Sequence, residues 1–346
     1  MKNKNFIIVV IGQIISLFGN AIQRFCMSLY LLDLTGSATT FSRILAISII
    51  PYILFAPIAG LLADTVNRKK IMVYLDLLSS ALMCVYAVIL ISGRDNTIIV
   101  AGVMFILSTI YTLYSPSVTV CIPQIVKKDK LASANGIIQQ VMKKSFIYLK
   151  EKKKVVLGII ISYGLTNIFV VPILSIVSPY FIRIKLNMSA SIFGFIEAIF
   201  VLGMILGGLL ITFRPKMFKM KEIHKTMYPM VIAILIMSFS TYLIRWNTFV
   251  VIGLYSIGGL LIMLSLSLSN ILSLTYIQNE IKEDMLGKVN ALSTAVATAS
   301  VAPGQLIYGQ LMDSNLSLFN ILLLTFIISL GVVMFIKWNV RRVNID

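Results

Sequence analysis

Apolar positions in this chain come in long unbroken blocks, and polar positions gather between them. The blocks lie near residues 6–32, 40–62, 71–91, 98–120, 155–181, 189–212, 227–243, 248–276, 289–311 and 317–338. A half-buried strand would alternate with a period of two, and a soluble amphipathic helix would turn a polar face to water. Blocks of about 20 apolar residues match the length of a helix that crosses a bilayer. The pattern therefore predicts ten transmembrane helices and an all-α polytopic membrane protein. The first block follows Lys2 and Lys4. It is too long for a signal-peptide core and has no small-residue cleavage site, so it counts as a span.

Charge adds an orientation. The chain has 346 residues, 58% of them hydrophobic and 12% charged, with 30 Lys plus Arg against 13 Asp plus Glu. Soluble domains carry about 25% charged residues, so an ordinary soluble enzyme is excluded. With the amino terminus inside and sides alternating, 24 of the 30 basic residues fall on the inner side and four (Arg94, Arg183, Lys185 and Arg245) on the outer side. That asymmetry predicts a multi-pass cell-membrane protein with both termini cytoplasmic. The net charge of +17 is then a membrane-topology signal and not a nucleic-acid footprint. Cys26, Cys84 and Cys121 are widely spaced in apolar stretches and His224 is the single histidine. Neither set makes a metal site or a catalytic triad, so no metal, no cofactor and no enzyme activity are expected.

A weak repeat divides the chain. The stretch 122–135 aligns without gaps on 277–290 at a shift of 155, where Ile122, Lys127, Asp129, Leu131 and Asn135 match Ile277, Lys282, Asp284, Leu286 and Asn290. Internal repeats of this kind mark secondary transporters. Two spans follow the second copy, but none follows the first before the block at 155. The expected organisation is a four-span bundle over 1–140, a basic cytoplasmic linker over 141–154 and a six-span bundle over 155–346. It corresponds to a six-plus-six plan that lacks its fifth and sixth helices.

The segment Gly60-Leu-Leu-Ala-Asp-Thr-Val-Asn-Arg-Lys-Lys70 joins the second and third blocks. It resembles the signature loop of the major facilitator superfamily through Gly60, Leu62, Ala63, Asp64, Arg68 and Lys69. Thr65 replaces a usual basic residue and Asn67 a usual glycine, the latter a mild change because Asn tolerates positive φ. The stretches 12–19, 34–37, 68–72 and 286–290 are similar to the macrolide and multidrug efflux branch of that superfamily. The resemblance implies a two-bundle fold of about ten spans (four plus six). It also implies a loop in which Gly60, Asp64, Arg68, Lys69 and Lys70 latch the bundles at the cytoplasmic face, and an efflux function. A Gly-Pro motif of the family's antiporters has only its second-half counterpart, around Pro303 and Gly304.

Several residues are candidates for function on their own chemistry. Gln13, Ser16, Asn20, Gln23 and Arg24 fall within one arc of about 100° on the first helix. A polar stripe on a membrane helix faces a cavity or another helix, so it lines a pathway or packs by hydrogen bonds. Asp76 and Glu197 are the acidic residues well inside apolar blocks. Asp76 is read as a structural partner of Arg68 or Lys70. Glu197 lies among Ile192, Phe193, Phe195, Ile196, Phe200 and Val201, with Arg24 at similar depth as a possible counter-ion, and is the candidate for carrying a coupling proton. Gly203 and Gly207 form a Gly-x-x-x-Gly pair suited to close helix packing. The basic stretch 141–154, with Phe146, Ile147, Tyr148 and Leu149 among its six lysines, either lies on the inner leaflet or merely joins the halves.

The expected function is a permease that exports small amphipathic molecules by alternating access, coupled to a proton or another ion. The alternative is a shortened, transport-impaired relative. The expected partners are a small-molecule substrate, the coupling ion and the lipid bilayer.

Overall fold

The computed structural model describes residues 4–65, 68–119, 145–214, 217–245 and 247–341. The stretch 120–144, on which the absent-helix reading and the first copy of the repeat turn, lies outside the described residues, as do 66–67 of the signature loop. The chain divides into two compact units, Met1–Asn135 and Gly136–Asp346, each considered by itself.

The first unit contains α1 (Lys4–Thr35), α2 (Ala38–Ile47), α3 (Ile50–Thr65), α4 (Arg68–Ile91) and α5 (Thr97–Thr119). Gly36, at φ +59°, ends α1 in the left-handed conformation that glycine adopts without steric cost. The second apolar block is not one continuous helix, because the chain breaks between α2 and α3 next to Pro51. There the Tyr52 N–H turns to the Ile49 carbonyl at 3.0 Å. That leaves the Ser48 carbonyl free, and it accepts the Ser108 hydroxyl of α5. An unpaired backbone carbonyl at bilayer depth costs several kcal/mol. A side chain from the neighbouring helix removes that cost, and α3 packs along α5 beside it.

The second unit begins with a short helix, α6 (145–152). It continues with α7 (Lys154–Phe169), α8 (Ala190–Phe213), α9 (Ile223–Thr226), α10 (Tyr228–Tyr242), α11 (Thr248–Glu280), α12 (Glu283–Met312) and α13 (Leu318–Val340). Two π-helical segments, Ile173–Val177 and Tyr180–Lys185, extend α7 toward Lys185. Each follows a proline, Pro172 or Pro179, which has no N–H to continue the regular ladder. The linker stretch is therefore helical over 145–152 and belongs with this unit. Its Leu149 is fully buried beside Val156, Ile160, Ile277, Ile281 and Val289.

Helices that start at the end poor in Lys and Arg share one device. Ser37, Asn96, Ser189, Asn247 and Ser317 each accept a backbone N–H of the first helical turn, at 2.9–3.3 Å. Such caps satisfy the donors that a helix start leaves unpaired. Among the described residues eight helical segments are long and apolar enough to cross a membrane. The other two of the ten blocks form α1, with 32 residues, and α12, with 30.

Candidate functional site

In the first unit the polar stripe of α1 is tied to its neighbours. The Ser16 hydroxyl donates to Asp76 Oδ2 on α4 at 3.2 Å. Asp76 thus ties α4 to α1. Two turns along α1, the Arg24 guanidinium stacks over the Tyr111 ring of α5 at 4.7 Å. A cation held over an aromatic face gains about 0.5–2 kcal/mol, more when desolvated. Between them Asn20 and Gln23 are half-buried, and Gln23 Nε2 is buried with no hydrogen-bond partner among the described residues. Tyr114, beside this group on α5, is buried at 3% exposure. The stripe therefore combines made contacts and an unused donor at bilayer depth. The side chains of Gln13, Gly60, Asp64, Arg68 and Lys69 lie outside the described residues. Lys70 is exposed at the start of α4.

In the second unit Glu197 stands half-buried on α8 between the buried Phe193, Ile196 and Phe200. It lies about 10 Å along the helix from its start, at 1.5 Å per residue. No described residue forms an ion pair with it. Gly203 and Gly207, further along the same helix, meet α11 backbone to backbone. A Cβ at Gly203 would collide with the Leu260 carbonyl, and one at Gly207 would come within 2.8 Å of the Leu264 carbonyl oxygen and of Ser267 Cβ. Gly304 on α12, next to Pro303, does the same for α7: its Cβ would lie 2.5 Å from the Ile168 carbonyl oxygen and 2.9 Å from Pro172 Cγ.

A further polar group escaped the sequence reading. Ser162, Tyr163 and Thr166 of α7 and Ser269, Asn270 and Ser273 of α11 line a small cavity closed by Ile223, Met227 and Ile336. Its volume of about 20 Å³ has room for a water and not for a drug-sized molecule. Tyr163 donates to the Asn270 carbonyl across it at 3.4 Å. The signal was present: Ser162 and Thr166, and Ser269 and Ser273, are spaced four apart, which puts each pair on one helix face. Among the described residues no group of three or more His, Cys, Asp or Glu side chains could hold a metal ion.

Comparison with known proteins places these features. Residues 1–141 match the family described as Transmembrane secretion effector. The chain is 31% identical over 136 residues to Macrolide efflux protein A of Streptococcus pyogenes, covering 39% of this chain and 34% of that protein. It is 26% identical over 139 residues to the MFS-type transporter YkuC of Bacillus subtilis, covering 40% and 32%. The aligned stretch thus spans about a third of the length of these relatives. A solved bacterial homologue of the iron transporter ferroportin, in an inward-facing state, superposes with a TM-score of 0.63 at 12% identity, over 92% of this chain and 95% of that one. The chain accordingly shares the fold of that transporter, a multi-pass all-α membrane fold. In sequence, a stretch of 136 residues resembles Macrolide efflux protein A.

Proposed function

We propose that this chain is a secondary permease that moves small amphipathic molecules, macrolides among them, out of the cell in exchange for protons. The observation that carries the reading is the contact between Ser16 and Asp76. A carboxylate held at bilayer depth against a polar helix stripe is expensive in lipid and is found where ions or substrates pass. Asn20, Gln23 and Arg24 continue that stripe along α1 and offer donors to a polar solute. Asp76 and Glu197 are the proton carriers in this reading. Both lie inside apolar helices, where taking up a proton removes the cost of a buried charge. In this reading the two helix bundles rock to give alternating access. Both chain ends and the signature loop with Asp64 and Arg68 lie on the cytoplasmic side.

The test is efflux of erythromycin and of ethidium from cells that express the full chain. Extrusion stopped by an uncoupler, with Asp76→Asn slowing it at least ten-fold while exchange of labelled for unlabelled substrate persists, is the expected result. A chain that inserts and folds but extrudes neither compound, energised or not, sinks the reading and leaves the transport-impaired relative in its place.

A further inference from the structure

We propose that α6 (145–152) is a membrane-surface helix that binds the headgroups of anionic phospholipids in the leaflet at the Lys-rich end of the second unit. The helix is docked to the bundle by one side and open on the other. Leu149, fully buried, anchors it in an apolar cluster with Val156, Ile160 and Ile281. Lys153, which follows it directly, is ion-paired with Glu280 of α11 at 2.5 Å. The open side carries Phe146 and Ile147, 47% and 42% exposed, together with the exposed Lys150. At 100° per residue these three lie within an arc of about 100°.

Water suits Lys150 but not Phe146 and Ile147, and lipid tails suit the reverse. The boundary between headgroups and acyl chains suits both, which is how interfacial amphipathic helices are built. The position agrees, because α7 starts and α11 ends beside α6, and both lie in bilayer-length apolar segments. Charge selects the lipid. Over 150–154 the chain reads Lys-Glu-Lys-Lys-Lys, and each lysine near an anionic surface adds to the attraction. Lys153 is engaged by Glu280, which leaves Lys150, Lys152 and Lys154 exposed. This inference needs only the membrane fold and holds whatever the chain transports.

The full chain, reconstituted in phosphatidylcholine vesicles with and without 30% phosphatidylglycerol, is compared by hydrogen exchange. Amide exchange over 145–152 is expected to slow about five-fold or more with phosphatidylglycerol, while the interior of α11 does not change. The slowing disappears in Lys150→Gln/Lys152→Gln, whose two substituted side chains are exposed, and in 0.5 M NaCl. Equal exchange in the two vesicles overturns the proposal. So does lipid-dependent slowing that survives the double substitution, or slowing that follows protein density instead of phosphatidylglycerol content, which would assign the face to a second copy of the chain.

Discussion

At Gly203 the hydrogen-for-side-chain choice is set by the Leu260 carbonyl, which occupies the space where a Cβ would stand. Membrane helices gain nothing from hiding apolar surface, since lipid is as apolar as leucine, so their association rests on close contact. Gly203 and Gly207 supply it over one turn of α8. Gly203→Leu is expected to lower stability by about 2–3 kcal/mol, the usual cost of overpacking, read as a lower thermal midpoint in detergent. Gly253 on α11 makes the opposite prediction. Nothing lies within 4 Å of a Cβ there, so Gly253→Ala should leave the midpoint unchanged or raise it, because alanine gains about 0.5–1 kcal/mol over glycine inside a helix. The Gly-x-x-x-Gly spacing was legible in the sequence; the partner backbone was not, because spacing along one helix says nothing about which helix approaches it. The same limit applied to Asp76. Its depth could be counted from the apolar block, but its bond to Ser16 required the packing of α1 on α4.

Among the elements, the α7 extension shows how a proline in one helix dictates polar residues in another. Pro172 interrupts the ladder, the Ile173 N–H turns to the Val170 carbonyl at 3.0 Å, and the Phe169 carbonyl is left over. Tyr308 of α12 donates to it at 2.7 Å, and the same hydroxyl lies 2.5 Å from Thr325 Oγ1 of α13. One phenol therefore ties three helices together in a region where water cannot replace a lost partner. Tyr308→Phe should cost about 1–2 kcal/mol, and Thr325→Val somewhat less. The double substitution should cost less than the sum of the two, because both remove parts of one network. Thermal melts of the four proteins in the cycle check this, and strict additivity would separate the two residues. A proline inside an apolar block, such as Pro172, is a general cause of a kinked helix. The carbonyl it frees, and the side chain that reaches it, depend on the register between α7 and α12. The break between α2 and α3 has the same logic, with Ser108 of α5 serving the Ser48 carbonyl.

For the whole molecule, the ten apolar blocks of the sequence predict that reporters fused to the two ends of the chain are read on the same face of the membrane, the cytoplasmic one. Reporters read on opposite faces would remove one span from the count and scramble the partition of basic residues. The helices themselves were already in the sequence. Apolar blocks of bilayer length become helices because lipid offers no partner to a free backbone group, and the placement of Lys and Arg predicts their orientation. These are one-dimensional properties, decided residue by residue along the chain. Which helices touch, where Asp76 finds its donor, how Leu149 turns a basic linker into a docked helix, and where Ser162 and Ser273 come to face one cavity are decided by tertiary structure. Inside a bilayer every surface is apolar, so hydrophobicity does not rank one helix pairing above another. Shape and hydrogen bonding make that choice, and both exist only once the helices are side by side.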